Sequence, residues 1–213
     1  MASIVSIVGH SQSGKTTLIE KLIPEMVSRG YNIATVKHTH HKVAPDQPEK
    51  DSWRHLQAGS TAAVLSSSDN VILIKPMADA SLDDIVRLLG EDYDLILAEG
   101  FKHDNAPKIE VHRKNTGPLL TDLTELLAIV SDEPLDSKIR QFAPDDVSGL
   151  ADLIEKDFIK SQREQVALYV NNVSIPMKSF IKDIVANVMV GIAVSLKGVG
   201  EVKNLKLFLR KRG

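Results

Sequence analysis

The chain opens on a short β-branched run, Ile4-Val5-Ser6-Ile7-Val8, that ends at a glycine. An apolar run closed by a glycine loop predicts a buried strand of a parallel sheet. Beyond the loop, Leu18, Ile19, Leu22, Ile23, Met26 and Val27 recur at helical spacing, and Gly30 supplies a stop. Pro24 lies inside this pattern and lacks the amide proton that a helix interior uses, so a kink or a division is expected there. Asn32 to Val36 predicts a second strand. Residues 4–36 then form a βαβ unit with a right-handed crossover.

Residues 38–50 carry histidine, proline and charge with no period, and read as a mobile loop. Asp51 to Ala58 predicts a short helix with Asp51 or Ser52 near its cap. Ala62–Ser67 and Val71–Ile74 flank Ser68-Asp69-Asn70 as a hairpin. Ser81 begins a helix whose first turn holds Asp83 and Asp84, where the helix dipole favours negative charge. Asp94 to Ala98 predicts a buried strand ending in Glu99-Gly100. Ile109–His112 and Leu127–Val130 supply two more strands, and Val147–Ile159 a closing helix. Strands alternating with helices give an α/β fold, a doubly wound and mostly parallel sheet of the P-loop kind.

The pattern changes after Gln165. Ala167–Val170 and Val173–Ile175 around Asn171-Asn172 predict a hairpin, Phe180–Leu196 a helix, and Val202–Leu209 a last strand. That is too little chain for a self-sufficient core, so the segment is expected to pack on something. The domains expected are therefore 1–165 and a small α+β extension, 166–213.

Composition narrows the classes. The 213 residues are 43% apolar and 25% charged, an ordinary globular balance. Cysteine is absent, which removes disulfides, thiolate zinc sites, iron–sulfur clusters and cysteine nucleophiles. No apolar run reaches the roughly 18 residues of a membrane span, and the N-terminus lacks a secretory layout. A cytoplasmic protein without a membrane partner is expected. The formal charge of −2 hides an asymmetry: 18 basic and 26 acidic side chains up to Gln165, then 8 basic and 2 acidic. The split marks a domain boundary rather than a nucleic-acid surface.

The strongest chemical signal is Gly9-His10-Ser11-Gln12-Ser13-Gly14-Lys15-Thr16, a complete G-x-x-x-x-G-K-[ST] motif between a strand and a helix. Gly9 and Gly14 let successive amides point at phosphate oxygens, and the helix N-terminus adds a positive dipole end. Lys15 would reach the β- and γ-phosphates, and the Thr16 hydroxyl would hold Mg²⁺. The loop predicts a nucleoside triphosphate site.

Further candidates sit at strand ends, where ligands of open α/β sheets collect. Glu99 fits a magnesium-holding acid better than Asp94, which lies at the other end of the same strand. Lys37-His38-Thr39-His40-His41 fits a transition-metal site, a polar rim facing phosphate, or an exposed loop. Asp51 fits a water-positioning or second magnesium carboxylate, or a plain helix cap. Arg113 fits a phosphate or partner contact, or a solvated surface. Asp132 fits a carboxylate reading guanine, or a turn cap.

Five stretches together resemble the molybdopterin-guanine dinucleotide biosynthesis adaptor proteins, the MobB family of small P-loop GTPases. They are VGHSQSGKTT (8–17), VKHTHH (36–41), KDSWRHLQAG (50–59), LAEGFKHDNAPKIEVHR (97–113) and IVSDEP (129–134). The resemblance covers roughly residues 1–160. It implies a GTP- and Mg²⁺-binding protein with weak GTPase activity. Such a protein assists the guanylyltransferase that joins GMP to molybdopterin, and it is a homodimer. It further implies that the loop residues Gly9 to Thr17, with Thr17 included, hold the nucleotide. Thr16 and Glu99 fall on the magnesium positions, and Lys37, His38 and Asp51 on motifs facing the nucleotide. The segment after Gln165 resembles an extension of longer members. It fits a docking or dimer-stabilising appendage, or a module for molybdopterin or a molybdoenzyme.

Two other classes share the P-loop. A small-molecule kinase would need an acceptor pocket and a base, for which Asp51 or the histidines are candidates. A metallochaperone GTPase would pass a metal through His38–His41. His10 stands where dimeric metal-inserting ATPases carry a signature lysine, which weakens that comparison.

Overall fold

The computed structural model describes residues 2–39, 50–90, 92–160, 166, 168–170, 173–202, 205 and 207. Six strands form one sheet: β1 (Ser3–Val8), β2 (Ile33–Lys37), β5 (Leu95–Glu99), β6 (Lys108–His112), β7 (Leu126–Ser131) and β8 (Arg140–Phe142). Their order is β2-β5-β1-β6-β7-β8, and every pairing is parallel. β3 (Ala63–Ser66) and β4 (Val71–Ile74) make a separate antiparallel hairpin, closed by Ser67 N–H donating to Asn70 O at 2.9 Å. β1 lies between two strands that follow it at a distance in the chain. The carboxyl ends of such strands are where open α/β sheets bind ligands.

The two sheet faces are set by strand alternation. Helix α1 (Lys15–Ser28) packs against β1, β2 and β5, burying Leu18, Leu22 and Met26 beside Val5, Ile7, Leu95 and Leu97. On the other face Ala34, Val36, Ile96 and Ala98 form a core with Leu82 of helix α3 (Leu82–Leu89), joined by Phe101 and Ala106. Each large side chain withdrawn in this way contributes about 1.5–3 kcal/mol. Residues 33, 35 and 37 therefore point to the α1 side, as do 95, 97 and 99. A capping box starts α3: Ser81 Oγ accepts from Asp84 N–H, and Ser81 N–H donates to the Asp84 carboxylate.

The structure refines several local expectations. Of the kink or division expected at Pro24, division does not occur, and α1 runs unbroken over 14 residues. The residue before helix α2 (Asp51–Gln57) is Lys50, so Asp51 begins the helix rather than capping it. The closing helix is α4 (Val147–Ile154) followed by a π-helical turn (Glu155–Ile159), with Lys160 N–H bonding Glu155 O. β8 is an added edge strand whose three residues carry no strand period.

The chain divides into two compact units, residues 2–151 and 152–213. Within the second unit β9 (Leu168–Val170) and β10 (Val173–Ile175) pair antiparallel, and helix α5 runs Ser179–Val194. The last strand expected over 202–209 falls largely outside the described residues; Val202, Leu205 and Leu207 are not in a strand. The loop expected over 38–50 is likewise outside them from 40 to 49. No helix among the described residues is long and apolar enough to cross a membrane.

Candidate functional site

The loop between β1 and α1 has three left-handed residues, Gly9 (φ +148°), Gln12 (φ +62°) and Gly14 (φ +98°). Only the first is closed to any side chain. A Cβ at residue 9 would stand 2.4 Å from Val111 O and 2.6 Å from Ser13 Oγ. The hydroxyl of Ser13 is buried and without a hydrogen-bond partner, and Ser11 and Gln12 are exposed at the loop crest. A concave backbone, a glycine against β6 and an unsatisfied buried hydroxyl fit a loop built around an anion.

Lys15 begins α1 and folds its ammonium back over the loop, donating to His10 O (2.7 Å) and Gly9 O (3.4 Å). Burial holds its pKa below the usual lysine value. Glu99 counteracts that, while Lys102 and Lys37 add to it. These four charges thus share one neighbourhood at the loop mouth. Thr16 Oγ1 lies 3.0 Å from both carboxylate oxygens of Glu99, and Lys37 Nζ lies 3.1 Å from Glu99 Oε1. The sheet register makes this cluster, because Lys37 pairs with Glu99 across β2 and β5, and Glu99 with Ile7 across β5 and β1. The Thr16 hydroxyl and the Glu99 carboxylate are hard oxygen donors converging on one point, a set that fits Mg²⁺.

The other face of the loop is held from β6. Arg113 Nε donates to Ser13 O (3.3 Å), and its Nη1 lies 3.4 Å from Asp132 Oδ2. Lys114 N–H donates to Asp132 Oδ1 at 3.2 Å. That amide, then Arg113, holds the Asp132 carboxyl below the usual carboxylate range. Both oxygens of Asp132 are therefore engaged by protein donors. His10 Nε2–H donates to Pro118 O at 2.9 Å, tying the loop to the segment after β6.

The structure thus brings together Lys15, Thr16, Glu99 and Lys37, and separately Ser13, Arg113 and Asp132. It sends His38 elsewhere: the ring packs on Phe101 at 5.0 Å between centroids, on the far side of the sheet from Lys37. Asp51 is exposed and ion-paired with Arg54 at 3.8 Å within its own helix. Asp94 accepts from Asn32 N–H at 2.8 Å, a link between strand starts. His40 and His41 lie outside the described residues, among which no group of three or more histidines and carboxylates is arranged to hold a metal.

Two features escape the sequence motifs. A small recess lies between Gly14 and Thr17 on one side and Arg113, Val130 and Pro144 on the other. At its edge Lys21 Nζ bonds Asp145 at 2.6 Å. Neither Lys21 nor Pro144 belongs to a motif, and only the meeting of α1 with the loop after β8 places them there.

Residues 4–132 match the family model described as molybdopterin guanine dinucleotide synthesis protein B, MobB. The chain belongs to the MobB family. It is 36% identical over 155 residues to the molybdopterin-guanine dinucleotide biosynthesis adapter protein of Haemophilus influenzae, covering 71% of this chain and 87% of that one. Identity to the Escherichia coli protein of the same name is 34% over 161 residues, 72% of this chain and 92% of the relative. A crystal structure of molybdopterin-guanine biosynthesis protein B superposes with a TM-score of 0.57 at 32% identity, over 72% of this chain and 97% of that one. The MobB match spans the loop, Lys37, Glu99, Arg113 and Asp132. Residues 133–213 lie beyond it.

Proposed function

We propose that this MobB-family chain is a GTP-binding adaptor for the guanylyltransferase that converts molybdopterin cofactor to its guanine dinucleotide form. The observation that carries the reading is the Thr16–Glu99 pair beside Lys15 at the mouth of the loop, in a family whose relatives are named as adapters in that synthesis. In this reading the loop amides and Lys15 bind the phosphates, and Thr16 and Glu99 hold Mg²⁺. The ion supplies charge neutralisation at the phosphates when bound. Arg113 and Asp132 brace the loop from behind, leaving its concave side to the nucleotide.

Among the described residues at the loop mouth no side chain is an obvious base for activating water, which accords with slow turnover by positioning and charge alone. The protein acts in the cytoplasm, as a homodimer, and the 166–213 extension serves docking or dimer stability. Two measurements test the reading. Competition should show GTP displacing a bound guanine nucleotide far better than ATP; equal displacement would remove the adaptor reading in favour of a kinase-like one. A pull-down with the guanylyltransferase, with and without GTP, should retain the full chain. Comparison with a version ending at Gln165 assigns the docking surface.

A further inference from the structure

We propose that Lys37 occupies the place of the metal ion on Glu99 in the nucleotide-free protein and must leave it when Mg²⁺ enters. The same ammonium then becomes a determinant of triphosphate over diphosphate. The inference rests on the nucleotide reading above.

Lys37 and Glu99 are direct cross-strand neighbours on the α1 side of the sheet. The register therefore sets the two side chains side by side. Glu99 is largely buried, with 14% of its side chain exposed, and among the described residues its carboxylate meets the Thr16 hydroxyl and the Lys37 ammonium. These two contacts use the carboxylate as a metal would. An ammonium 3.1 Å from Glu99 Oε1 and a divalent cation on the same carboxylate repel one another strongly at such range. The two cations are alternatives.

The Lys37 side chain is 62% exposed on a flexible four-carbon stem, so it is free to swing. Lys37 and Lys102 both disfavour the charge on Lys15, so the loop mouth gathers cations that an incoming anion relieves. An anion arriving beside the displaced ammonium would hold it there. The terminal phosphate of a triphosphate, arriving with the metal, supplies that charge, whereas a diphosphate brings less of it. Metal entry and triphosphate binding are thereby coupled through Lys37, which acts as a specificity-determining and positioning residue.

The test uses the full chain saturated with GDP and titrated with Mn²⁺, the free ion being followed by electron paramagnetic resonance. Lys37→Met should tighten Mn²⁺ binding about threefold to tenfold, and Lys37→Arg should leave it within about twofold. In Mg²⁺, the ratio of GTPγS to GDP affinity should fall about threefold or more in Lys37→Met only. Were Lys37 a mere prop for Glu99, Lys37→Met would weaken Mn²⁺ binding or leave it unchanged, and either result overturns the proposal. A parent protein that binds no GDP, or whose Mn²⁺ binding survives Glu99→Ala intact, would instead remove the nucleotide reading, and this inference with it.

Discussion

The carbonyl oxygen of Val111 lies 2.4 Å from the point a Cβ on Gly9 would occupy. Strand β6 thus fixes the identity of the first residue of the phosphate loop. Gly9→Ala must displace either β6 or the loop. The variant should lose about 1–3 kcal/mol of stability and most of its nucleotide affinity, measured by urea denaturation and by fluorescent-nucleotide titration. An alanine variant that binds normally would show that the loop does not hold the phosphates in this conformation.

Lys15 and Glu99 should separate binding from turnover. Lys15→Ala removes the ammonium held over the loop mouth, and nucleotide affinity should fall roughly 100-fold or more. Glu99→Ala should keep affinity within about threefold yet lower Mg²⁺-dependent hydrolysis roughly 100-fold. Unchanged hydrolysis in the second variant would refute its role as a metal-holding acid.

Arg113 touches the loop through Ser13 O and reaches Asp132 with its other arm. Arg113→Ala should weaken GDP and GTP binding alike, about threefold to tenfold, by loosening the loop. Asp132→Asn should lower GTP and ATP affinity in parallel, because both of its oxygens already serve Lys114 N–H and Arg113. A selective loss of GTP binding in Asp132→Asn would assign it to reading the base.

Glu110 is buried on β6, accepting Leu120 N–H through Oε1 at 2.7 Å while Oε2 has no hydrogen-bond partner. Burial raises its pKa, against the Leu120 amide and the charges of His112, His10 and Lys102. A raised folded-state pKa means a contribution present below the unfolded value, about 4.3, and lost as pH rises through the folded value. Glu110→Gln abolishes that loss. Urea midpoints of the variant should gain on the parent between pH 4 and pH 8; parallel curves would exclude the effect.

Much of this site is written in local sequence. Gly9 to Thr16 carries its own geometry, since the glycines and the strand–helix context need no distant partner to be recognised. The apolar runs of β1 and β5 likewise specify buried strands wherever the chain places them. Two-residue alternation also decides that Lys37 and Val36 face opposite sides of any sheet they join. What alternation cannot supply is the neighbour. That Glu99 pairs with Lys37 follows from β5 inserting between β1 and β2 in a particular register, a long-range choice made by the packing of both sheet faces. The same holds for Arg113 on Ser13 O, for His10 on Pro118, and for His38 packing on Phe101. Edge strand β8 has three residues and no period of its own, and it exists because β7 offers an open row of backbone groups. Sequence alone determined which residues could hold a phosphate; the tertiary structure decided which charges meet there, because electrostatic contact depends on distances that only strand order and register create.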